Sequence, residues 1–108
     1  MKNVLWVDAA TPPPKNDGIN YYWARGVYCA IDVLLKCEYP IKDYGYIEYV
    51  DLAYDAGDHI SQGGNYVEFL RFLEVSGRSY PVRIHATEVG HVKELRDIIS
   101  RNGWFEIT

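Results

Sequence analysis

Apolar positions along this chain change period several times, and each change marks an element. Residues 3–7 (NVLWV) form an unbroken apolar run ending at Asp8, the pattern of a central strand buried on both faces. The segment ATPPPKNDG (10–18) follows, and its three consecutive prolines, without N–H donors and with φ fixed, exclude both helix and ladder. Residues 19–25 (INYYWAR) are aromatic and β-favouring and predict a second strand. Val27, Ala30, Ile31, Leu34 and Leu35 then fall at i, i+3, i+4, i+7 and i+8, a helical stripe that Pro40 should stop.

Strand character returns over residues 46–53 (YIEYVDLA), followed by the acidic, glycine-containing segment YDAGDHISQGGNY (54–66). Tyr66, Phe69, Leu70 and Leu73 give a second helical stripe, introduced by Gly63 and Gly64 and closed near Gly77. Residues 81–87 (PVRIHAT) predict a strand with proline at its first position. Val89, Val92, Leu95, Ile98 and Ile99 form a third stripe, whose C-terminal half carries Lys93, Arg96 and Arg101 where cations suit the helix dipole. Asn102 and Gly103 end it, and WFEIT (104–108) makes a last short strand.

Strands alternating with helices imply a parallel sheet with right-handed crossovers and helices on both faces. At 108 residues there is room for one α/β domain. A hydrophobic share of 48% with 24% charged residues belongs to a globular chain. The start, MKNVLWVD, fits neither a secretory leader nor a membrane span, so a cytoplasmic protein without a membrane partner is expected. A net charge of −4 argues against broad binding to a nucleic-acid backbone, leaving room only for a local basic patch. Cys29 and Cys37 stand eight residues apart in one predicted helix, about 12 Å at helical rise, too far to bridge; both are expected as reduced thiols in or near the core.

Ligands of parallel α/β sheets bind beyond the carboxyl ends of the strands. That rule selects Asp8, residues 51–58 and residues 85–87, which should converge. Acidic strand ends brought together repel unless a cation or proton offsets them. Asp8, Asp51 and Asp55 could therefore ligate Mg²⁺ or Mn²⁺ through oxygen, although aspartates also cap helices and start turns. His85 and Thr87 share one face of their strand, with His85 a candidate general acid or base, whereas a lone histidine there more often serves the core. Arg25 or Arg83 could steady a phosphate. Gly63 and Gly64 could cradle one through backbone N–H groups, or simply let the chain turn. His59, His91, Asp17 and Asp58 are expected on the surface.

The segments LWVDAATPPP, WARGVYCAIDVLL, DLAYDAGDHISQGGNYVEFLRFL, YPVRIHATEVG and IISRNGW, in that order, resemble the cyclic-phosphate processing receiver domains, an offshoot of the response-regulator receiver fold. The resemblance implies a single flavodoxin-like, receiver-like domain: a five-stranded parallel sheet of order 2-1-3-4-5 with three helices, the usual first helix replaced by the Pro-rich loop. It also implies a site in which Asp8 matches the first-strand acid, Asp55 the acid after the third strand, and His85 the fourth-strand histidine. The function it implies is binding or processing of a cyclic phosphate or nucleotide, as a metal-dependent phosphoesterase in the enzymatic version. The chain departs from the pattern at Ala9, Ala53, Ala86 and Asn65, where acids or a serine are common. Those losses favour the alternative, a non-catalytic module that uses the same rim to hold a phosphorylated ligand or a protein partner. The final strand carries no lysine, so a phosphorylatable receiver is not expected.

Overall fold

The computed structural model describes residues 1–39 and 44–108. Five strands, β1 (Lys2–Val7), β2 (Ile19–Ala24), β3 (Ile47–Leu52), β4 (Val82–Ile84) and β5 (Glu106–Ile107), make one all-parallel sheet in the order β2-β1-β3-β4-β5. Three helices, α1 (Val27–Glu38), α2 (Val67–Val75) and α3 (Val89–Arg101), complete an α/β flavodoxin-like arrangement. Residues 9–18, between β1 and β2, contain no helix. The expected helix stop, Pro40, lies outside the described residues, while α1 itself ends at Glu38 with Tyr39 as its cap.

Helices on both faces were expected; the three helices instead share one face. The strand order explains why. Stepping from β1 to β2 runs one way along the sheet, whereas β2 to β3, β3 to β4 and β4 to β5 all run the other way. Right-handed crossovers of opposite direction must lie on opposite faces. The single connection assigned to the second face is the stretch where three prolines forbid a helix.

The core accordingly fills one layer, with Leu5, Val7, Ala24, Val50, Leu52 and Val82 from the strands meeting the apolar stripes of the helices. Val67, Phe69, Leu70 and Leu73 of α2 are buried, each contributing about 1.5–3 kcal/mol of transfer free energy. The strand residues of opposite parity face away from the helices. In register across the sheet they form the rows Tyr21–Val4–Tyr49 and Trp23–Trp6–Asp51–Arg83. Val4 and Trp6 are buried there, although they stand outside the helix-side cluster.

Several boundaries moved. The strand expected over 81–87 covers only Val82–Ile84, because β3 ends at Leu52 and β5 offers two residues for pairing. Cys37 is buried as expected, but Cys29 is exposed, since it falls beside rather than on the apolar stripe of α1. Gly63 adopts φ +107, and a Cβ there would lie 2.8 Å from that of Val27, so the glycine allows the loop to press against α1.

Candidate functional site

The C-terminal ends of β1, β3 and β4 converge as the sequence suggests, and His85 is the point where they meet. Its Nδ1 lies 2.7 Å from Asp51 Oδ1 and its Nε2 2.8 Å from Asp8 Oδ2. Asp51 is placed at the last turn of the pleat on the helix-free face, one strand from Trp6 and one from Arg83. Its second oxygen accepts a hydrogen bond from Arg83 at 3.0 Å. Asp8 follows β1, and its Oδ1 accepts the N–H groups of Ala10 and Thr11 at 2.9 and 3.0 Å, an Asx-type turn that starts the Pro-rich loop. The indole of Trp6 stacks on the imidazole with centroids 4.1 Å apart and planes 6° from parallel, and its N–H donates to the Thr11 carbonyl.

A neutral imidazole has one donor and one acceptor nitrogen, so a ring whose two nitrogens both face carboxylates is satisfied only as the imidazolium. Burial opposes that charge, but the hydrogen bonds to Asp51 and Asp8 outweigh it and hold the His85 pKa above its ordinary value. Burial likewise pushes the Asp8 carboxyl up; the Thr11 N–H, His85 and the Ala10 N–H together bring it below the usual carboxylate range. The charge that offsets the converging acids is thus a proton on His85, with Arg83 beside Asp51.

A pH dependence follows from these directions. The folded-state pKa of His85 exceeds the unfolded value of about 6.5, so its contribution is complete below that pH and is lost as pH rises through the folded value. The Asp8 contribution has the opposite sign, present above about pH 4 and lost as pH falls through the lowered folded value. The urea midpoint should therefore fall as pH rises above about 6.5 in the native chain, and this alkaline fall should vanish in His85→Leu. An unchanged slope in the variant would mean that another group titrates.

A cleft of about 470 Å³ opens above this network, with Asp8, His85, Asp55, Thr87, Glu88 and His91 among the residues that line it. Trp6 stacked on His85 borders it, as does Tyr54, whose ring stacks on that of His91 at 3.9 Å. Asp55 is exposed and its Oδ1 accepts the Gly57 N–H at 2.8 Å, which makes it a turn-forming residue at the cleft margin with no direct bond to His85. Of the residues proposed for phosphate, Thr87 alone lines the cleft. Gly63 and Gly64 pack against α1 and the Glu68 side chain, while the Arg25 guanidinium lies over the Trp23 ring at 4.1 Å.

The donor set does not fit the divalent cation expected from the sequence. His85 stands between Asp8 and Asp51, both oxygens of each carboxylate already accept hydrogen bonds, and Asp55 is not joined to either. Among the described residues no group of three His, Cys, Asp or Glu side chains could hold a metal ion. Asp17 and Asp58 are exposed, as expected. His91, expected on the surface, has a side chain 38% exposed and also borders the cleft, because α3 begins after a four-residue connection from β4 and its first turn faces the site. Trp6 was read only as core; its two-residue spacing from Asp8 was the available signal. No helix among the described residues is long and apolar enough to cross a membrane.

Compared with family models, curated proteins and solved structures, the chain finds no match.

Proposed function

We propose that this chain is a receiver-like module that binds a small phosphorylated ligand, a cyclic phosphate or nucleotide, in the cleft at the strand C-termini and retains it without hydrolysis. The observation that carries this reading is the clamp on His85. General acid–base catalysis needs a group free to exchange a proton with the reacting atom, and here both ring nitrogens are committed to Asp51 and Asp8. No metal-assisted route is invoked, since the carboxylates are already neutralised.

Binding has its own support. α3 starts at the cleft without a side-chain cap, so the N–H groups of its first turn are available to an anion, with the Thr87 hydroxyl beside them. The stacked Tyr54 and His91 rings, which line the cleft, offer aromatic surface against which a base can pack. Glu88 and Asp55 at the margin disfavour a bare multivalent anion, which selects a singly charged phosphodiester such as a cyclic phosphate.

Melting temperature measured in EDTA against cyclic AMP, AMP and inorganic phosphate tests the proposal. Cyclic AMP should raise the midpoint more than inorganic phosphate; saturation at a hundredfold over Kd corresponds to about 2.7 kcal/mol. Thr87→Ala should weaken binding roughly fivefold, the value of one hydrogen bond. Phosphorus NMR over a day should detect no hydrolysis. Absence of any shift across the panel sinks the binding claim, and product formation sinks the claim of retention.

A further inference from the structure

We infer that the outer edge of β2 pairs with the same edge of a second copy of this chain, antiparallel about a two-fold axis, so that one sheet runs through both. The strand order leaves β2 and β5 as the edges of the sheet. β5 has only two residues, whereas β2 has six, Ile19–Ala24, with neither a charge nor a proline to blunt it. The hydrogen bonds from the Lys2 N–H to the Gly18 carbonyl and from the Asp8 N–H to the Ala24 carbonyl fix which way its backbone points. In a parallel ladder alternate residues bond a given neighbour, so Asn20, Tyr22 and Ala24 face β1, and Ile19, Tyr21 and Trp23 turn their N–H and C=O groups outward. The Ile19 N–H is met by the Asn16 carbonyl, but among the described residues nothing meets the Ile19 carbonyl or the backbone groups of Tyr21 and Trp23.

The ends of the strand select the occupant. Asp17 precedes β2 and Arg25 follows it; both are exposed, and among the described residues neither has an ion-pair partner. The two stand equally far along the chain from Tyr21, so with Tyr21 opposite Tyr21 of the second copy, each Asp17 falls at the Arg25 of the other. In this register the two Tyr21 residues exchange both backbone hydrogen bonds, and each Trp23 N–H donates to the Ile19 carbonyl across the axis. On one face Tyr21 meets Tyr21 and Trp23 meets Ile19, aromatic and β-branched pairs of the kind that stabilise a ladder. Any other register parts the charges. The Arg25 guanidinium, held over the Trp23 ring at 4.1 Å, is already placed at the strand end. An unrelated strand would need matching charges at both ends, whereas a second copy carries them by symmetry. No residue of β2 lines the cleft, so the pairing is independent of what the cleft binds.

Sedimentation equilibrium of the full chain at low salt tests the pairing. A six-residue edge buries less than a standard interface, so association is weak, and the average mass should rise from 12.4 kDa towards twice that value between about 10 μM and about 1 mM. Asp17→Arg and Arg25→Asp should each weaken association roughly tenfold, since both attractions become repulsions. Mixed in equal amounts, the two variants should associate as tightly as the native chain, because each supplies the charge the other lacks. Tyr21→Pro should give a folded monomer, since the N–H it removes faces away from β1; should that variant not fold, the mixing result decides. A native chain that stays monomeric at about 1 mM leaves the edge to a strand from another protein and overturns the inference. Association that survives both charge reversals, or reversed variants that fail to recover on mixing, overturns it equally.

Discussion

His85→Leu should cost about 3–5 kcal/mol of unfolding free energy at pH 7, the range for a buried ion-pair network deprived of one partner. The variant removes the only group among the described residues that bonds both Asp8 and Asp51, whose side chains are 10% and 3% exposed. Asp51 would keep Arg83 and Asp8 would keep the Ala10 and Thr11 N–H groups, which places the loss towards the lower end of that range. Asp51→Asn should cost less, because an amide oxygen still accepts from His85 Nδ1 and the change approaches that of one hydrogen bond. Urea denaturation of the native chain, both single variants and the double variant would measure the coupling directly. A cost below about 1 kcal/mol for His85→Leu would mean that the ring is not the charged partner of both acids.

The second large effect belongs to the helix side of the sheet. Phe69→Ala, at a fully buried position of α2 within the single-layer core, should destabilise by about 3–5 kcal/mol. Total stability for a domain of this size is about 5–15 kcal/mol, so the midpoint should fall by more than about 12 °C. Among the described residues there is no second helical layer to share the loss. A drop of only a few degrees would contradict a core confined to one side.

Much of the fold was legible because its parts are local. The five strands, three helices and Pro-rich connection follow from periodicity and from proline chemistry, and the order 2-1-3-4-5 followed from resemblance to a receiver. The one-sided packing was equally derivable: the prolines mark which crossover lacks a helix, and handedness marks its face. What pattern alone cannot show is side-chain pairing between distant segments. Asp51 and His85 are 34 residues apart, and Asp8 and His85 are 77 apart. Their strand-end positions bring them together, but the insertion of the ring between the acids depends on the parity of three strands at once. Asp55 looked the stronger acid by motif, yet it follows the end of β3 and turns into its own loop. Tyr54 and His91 were obscured for a related reason, since each belongs to a loop or first helical turn whose direction is set by tertiary packing.

The His85 clamp also bears on motion. By joining residues from the ends of β1, β3 and β4, it ties the floor of the cleft into one body with the sheet, and that floor cannot shift without breaking two charged hydrogen bonds. Any closure around a bound molecule therefore falls to residues 86–88 and to the first turn of α3, where exposed Thr87 and Glu88 have no such ties to the strands. The cleft has a fixed base and one adjustable wall, so different ligands should leave the sheet unchanged and differ in where they hold that turn.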